Sequence, residues 1–158
     1  MERGKYNRSI RTVVRRHAVA LAALAMLAAP APTRAQSAGV LNGFGLFGTW
    51  AVRCGAPAAP DNVVQTVTWT GREPVEYSET NRQGAVGNRY RVLSAQLQGA
   101  DLFMQVELNG RLVENLTIAK SGTTSIRTMS TQTHDGFLVQ SGVVTATGRP
   151  TPWLRKCR

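Results

Sequence analysis

The chain has 158 residues, room for one domain, and a formal net charge of +10. Residues 1–35 hold seven Lys/Arg and one Glu, so the remainder keeps 12 Lys/Arg against 8 Asp/Glu, a net of +4. Its cations are spread along the chain, with only Arg155, Lys156 and Arg158 clustered. That argues against a nucleic-acid binder, which needs a dense basic face interleaved with aromatics.

Arg3, Lys5, Arg8, Arg11, Arg15 and Arg16 form a basic lead, followed by an apolar Ala/Leu run at 18–29. Pro30 and Pro32 break any helix, and Thr33 and Ala35 place small residues at −3 and −1 of a cut before Gln36. Basic, apolar, then small-before-cleavage is the layout of a secretory signal. The run has 12 residues, against roughly 20 for a membrane-spanning helix, so no stable membrane span is expected. Arg15-Arg16 lacks the flanking residues of a twin-arginine signal, which leaves the Sec-type route as the default. The expected division is a signal peptide at 1–35, a flexible Gly-rich lead-in at 36–47 and a β-barrel domain at 48–158. The expected location is the periplasm or the exterior.

Strand signals then run to the end of the chain. Residues 49–54 read as a first strand, followed by a Gly/Ala/Pro loop at 55–60 and alternating β-branched residues at 63–69. Residues 75–80 and 89–97 follow, separated by a loop at 81–88. Residues 102–107 and 111–118 flank Asn109-Gly110 as a hairpin. A three-residue loop sets Glu107 opposite Arg111, Val106 opposite Leu112 and Leu102 opposite Leu116, with Glu114 the one misfit on the apolar face. Residues 125–133 and 137–140 surround Asp135-Gly136, and 143–147 make a last short strand before a Pro-rich tail. Short strands at roughly ten-residue spacing predict an all-β fold, a single antiparallel barrel of about eight strands.

Cys54 and Cys157 are the only cysteines. In an exported chain they predict one disulfide, joining the start of the domain to its end. Two distant thiols and a single histidine beyond residue 35 make no zinc site, and no metal or other cofactor is expected.

Gly48-Thr49-Trp50, opening the first strand, resembles the Gly-x-Trp opening of lipocalins and related calycin barrels. The resemblance extends to Gly48 and Trp50 and implies a Trp packed across the closed end of the barrel. The pattern Gly48-Thr49-Trp50…Cys54 with Thr151-Pro152-Trp153…Cys157 also resembles a group of exported bacterial proteins of unknown function, which supports the domain boundaries.

No catalytic constellation stands out. His134-Asp135-Gly136 reads first as a turn, although His134 with Ser125, Ser130 or Ser141 sketches a hydrolytic triad. Glu73, Glu76, Glu79, Glu107 and Glu114 are the carboxylates that glycoside chemistry would use, and a solvated strand face accounts for them more simply. Trp50, Trp69, Tyr77, Tyr90, Phe103, Phe137 and Trp153 either line a ligand cavity or fill a solid core. Arg89, Arg91 and Arg127 lie on strands, where they face solvent or an anionic ligand.

The expected function is therefore a non-catalytic exported barrel that binds a small apolar or anionic ligand or an envelope protein. Two alternatives stand beside it. One is inhibition of a secreted enzyme such as lysozyme, with loops 81–88 and 133–136 as plugs. The other is a small hydrolase using His134. The sequence leaves the oligomeric state open.

Overall fold

A computed structural model describes residues 34–80 and 85–157. The proposed signal, up to residue 33, lies outside the described residues. One helix and ten strands follow in order: α1 (Arg34–Phe44), β1 (Gly48–Ala51), β2 (Val64–Thr68), β3 (Glu76–Thr80), β4 (Val86–Gln98), β5 (Asp101–Leu108), β6 (Leu112–Ser121), β7 (Ser125–Thr133), β8 (Gly136–Gln140), β9 (Val143–Val144) and β10 (Leu154–Cys157).

Eight of the strands close an antiparallel barrel. The ladder runs β10-β1-β2-β3-β4-β5-β6-β7 and returns to β10 through Leu154↔Ile126 and Arg155↔Ser125. Period-two alternation puts Leu102, Met104 and Val106 of β5 inside, and Tyr90 and Val92 of β4 beside them. The register shifts between Val92 and Ser94 and between Thr117 and Ile118. Such bulges bend and twist a sheet, as closure requires.

The far end of β7 keeps its pairing with β6, but its other edge, beyond β10, pairs with β8, which pairs with β9. The last strand signal, at 143–147, thus lies outside the barrel. The closing strand is β10, inside what reads from sequence as a Pro-rich tail.

Cys54 and Cys157 form the expected disulfide, with Cα atoms 5.5 Å apart across 103 residues of chain. Asn62 is fully buried and shapes the loop after Cys54. Its side chain accepts from the Arg53 N–H at 2.7 Å and donates to the Ala56 and Pro57 carbonyls.

The hairpin keeps its expected faces but not its register. Asn109 and Gly110 both have positive φ, 50° and 71°, and the Arg111 N–H donates to the Leu108 carbonyl. Arg111 then stays out of the ladder, so Leu108 pairs with Leu112, Val106 with Glu114 and Leu102 with Ile118. Glu107 lies outside and meets Arg91 at 3.3 Å rather than Arg111.

The expected flexible lead-in is largely helical. Ala38, Leu41 and Phe44 recur every three residues and are buried, joining Leu46 and Trp50 in the core. Gly45, at φ 80°, ends the helix: the Leu46 N–H reaches the Leu41 carbonyl and the Gly45 N–H the Asn42 carbonyl. Lys120 donates to the Phe44 carbonyl and Lys156 to that of Gly45, placing cations where the helix dipole is negative. The helix closes the barrel end where β1 begins and β10 ends. Among the described residues, no helix is long and apolar enough to cross a membrane.

Candidate functional site

The barrel interior is divided by chemistry. Its α1 end is a packed core around Trp50, Leu102 and Met104, all at most 1% exposed. The Trp50 indole donates to the Leu46 carbonyl at 2.7 Å, so its one polar atom is satisfied.

At the opposite end the inward positions turn polar. A cavity of about 270 Å³ lies there, lined by Gln65, Tyr77, Glu79, Asn88, Tyr90, Glu114 and Thr131 on its polar side. Leu116, Ile118, Leu138 and Val139 form its apolar wall. A second space of about 190 Å³ shares Gln65, Glu79, Thr128, Thr131 and Val139.

Strand alternation explains how the carboxylates come to be inside. Glu79 lies two residues after buried Tyr77 and so points the same way, while Glu76 points out. Glu114 faces Val106 across the hairpin and is 4% exposed. The expectation that these glutamates share a solvated face therefore fails for Glu79 and Glu114. Glu73 is also engaged, accepting from the Ala38 and Val75 N–H groups.

Glu79 is held on both oxygens. Oε1 accepts from Gln65 Nε2 at 2.9 Å and from the Tyr77 hydroxyl at 3.2 Å. Oε2 accepts from Asn88 Nδ2 at 3.0 Å and from the Tyr90 hydroxyl at 3.4 Å. The two tyrosine rings are cross-strand partners and stack at 4.5 Å. Burial first, and then the Glu79 charge, push both hydroxyls well above the usual phenol range, so they remain donors.

Glu114 has no hydrogen-bond partner among the described residues. Burial first, and then the Glu79 charge, raise its pKa above the ordinary 4.5. The folded state therefore holds this proton more tightly than the unfolded chain. The resulting stability is fully present below pH 4.5 and is lost as pH rises through the higher folded-state value. Glu114→Gln mimics the protonated form. It is expected to match the parent in acid and to become the more stable protein as pH rises. Urea midpoints of the two proteins across pH check this, and a constant difference between them would contradict it.

The other residues singled out from sequence scatter. Trp50 is core and Phe103 is partly buried on the outward face of β5. Trp69 is exposed beyond the end of β2. Arg89 and Arg91 share the outer face of β4, beside a cleft of about 560 Å³ that also carries Glu76. Arg127 is tied down: Nε donates to Thr151 at 3.0 Å, Nη2 donates to the Gly142 carbonyl, and the guanidinium lies 5.9 Å from the Trp153 ring centroid. Only Tyr77 and Tyr90 of that set meet in the cavity. His134 sits on an exposed turn with Nε2 3.1 Å from Asp135. Of the two candidate plugs, residues 81–84 lie outside the described residues, while 133–136 form the tight β7–β8 turn.

No known family model, curated protein or solved structure matches the chain.

Proposed function

We propose that the chain is an exported, non-catalytic barrel that takes a small ligand into the cavity opposite α1. The observation that carries this is the division of the interior, packed solid at one end and hollow at the other. The hollow is lined by stacked tyrosines, glutamates and an aliphatic wall. Its volume of about 270 Å³ sits just below the usual range for small-molecule sites, roughly 300–1,000 Å³, and the adjoining space enlarges it. An apolar body with a few fixed polar contacts suits such a lining. An anionic ligand suits the outer cleft at Arg89 and Arg91 better than this acidic interior.

The basic lead, the short apolar run and the Cys54–Cys157 bridge support export to the periplasm or beyond. A cut before Gln36 would leave Ala38, Leu41 and Phe44 in place to close the barrel. The eight-strand ring with its buried Trp50 supports the comparison with lipocalins.

Exposed Phe137, Leu138, Val143 and Trp153 favour a second reading, in which the β8–β9 extension and the segment before β10 meet an envelope or secreted protein.

Native mass spectrometry of the protein from the periplasmic fraction of a bacterium expressing the full chain tests the first reading. The expected mass begins at Gln36, is two hydrogens lighter than the dithiol, and carries a small ligand or accepts one from a metabolite extract. Retention of residues 1–35 with reduced thiols would contradict export. A protein that accepts no small molecule would contradict the ligand reading and leave the second.

A further inference from the structure

Glu79 and Glu114 line one cavity but differ in how their oxygens are used. Gln65, Tyr77, Asn88 and Tyr90 donate to Glu79, two bonds to each oxygen, which fills about the four acceptor sites of a carboxylate. Glu114 is more than nine-tenths buried, borders the same space and receives no bond from any described residue. Among the described residues no fully enclosed side-chain oxygen or nitrogen lacks a partner, so the unbonded oxygens of Glu114 open onto that space, where a donor can reach them. No lysine or arginine is among the described residues lining either space.

Resting on the ligand-barrel reading, we propose that the cavity is a binding site for a small primary amine, its ammonium on Glu114 and its apolar body against Leu116, Ile118 and Val139. Charge and donor count together select this class. A cation offsets two like charges held in a poorly solvated space. An ammonium has three N–H donors on a compact head, which supplies the bond that Glu114 lacks. A quaternary ammonium has the charge without a donor, an alcohol has a donor without the charge, and a carboxylic acid adds a third anion. A hard metal ion is poorly served, because it takes six or more oxygen ligands while the oxygens of Glu79 are already engaged. Among the described residues, no group of three His, Cys, Asp or Glu side chains is placed to hold a metal.

The test uses the disulfide-bonded protein isolated from the periplasmic fraction, titrated calorimetrically and by ¹H–¹⁵N NMR with butylammonium, butanol, butyrate and tetramethylammonium. Saturable binding of butylammonium is expected, with the largest shifts at the amides of Tyr77, Tyr90 and Glu114. Glu114→Gln is expected to weaken it by about tenfold or more. Glu107→Gln, on the outer face beside Arg91, is expected to leave it unchanged. Butylammonium binding equally to the Glu114→Gln protein would overturn the proposal, as would butanol or butyrate binding better than the amine. In the latter case shifts at the cavity amides would leave the ligand barrel standing. If no probe of the panel shifts those amides, the amine site fails and the ligand-barrel reading loses its support with it.

Discussion

Replacing both Cys54 and Cys157 by Ser is expected to destabilise the protein by about 4 kcal/mol, within the range for a native disulfide in a small domain. Two features place the loss near the upper part of that range. The bridge spans 103 residues, so in the chain-entropy model it removes much of the freedom of the unfolded state. It also anchors β10, a four-residue strand on which ring closure depends. Urea unfolding of the parent and the double variant measures the difference. The variant is also expected to show a larger dependence on urea, because its unfolded chain is less constrained and exposes more surface. A loss below about 1 kcal/mol, outside the usual 2–5 kcal/mol, would mean that the β1–β10–β7 ladder holds without the covalent link.

Trp50→Ala is expected to cost about 4 kcal/mol, as for other large aromatic side chains removed from cores. Trp50 has no exposed surface, satisfies the Leu46 carbonyl and lies with its ring 5.4 Å from Lys156 Nζ. Truncation opens a void at the junction of α1 and β1 and leaves that carbonyl without its donor. Total stabilities of small domains are about 5–15 kcal/mol, so the variant should unfold well below the parent temperature. Trp50→Phe refills most of the space but not the hydrogen bond, and should lose less than half as much. Thermal and urea unfolding of both variants separates packing from the bond; equal losses would assign the effect to the bond alone.

The barrel strands were legible where they bury one face, because a period of two then shows in the residues themselves: Leu102, Met104 and Val106 on β5 need no context to be placed together. Alternation fixes which residues share a face but not how far two strands slide past each other by even steps. The β5–β6 register was therefore beyond it, because Arg111 is held out of the ladder by the turn. Helix α1 was hidden for a different reason. From residue 37 on, its buried residues are Ser37, Ala38, Leu41 and Phe44, set among Gly39, Asn42 and Gly43, and its stability comes from packing on a barrel and from Lys120 and Lys156 far along the chain. Ring closure through β10 rather than through the strand at 143–144 is likewise decided by non-local pairing.

The candidate site was half visible. Glu114 stood out in the sequence as a charge on an apolar face, and Glu79 has the parity of Tyr77. What joins them is barrel curvature, which brings β3 and β6 to one interior although two strands separate them in the ladder. Sheet pairing alone places them apart. Aromatic composition was a poor guide for the same reason: of three tryptophans, Trp50 is core while Trp69 and Trp153 are exposed.

The plug and its fastening lie far apart in the chain. Helix α1 precedes every strand, yet one of its two lysine latches is Lys156, one residue before the bridging Cys157. Ring closure and the second latch also reside in residues 154–157. One short segment therefore carries the keystone of the ring, the covalent bridge and a clasp on the helix from the other end of the fold.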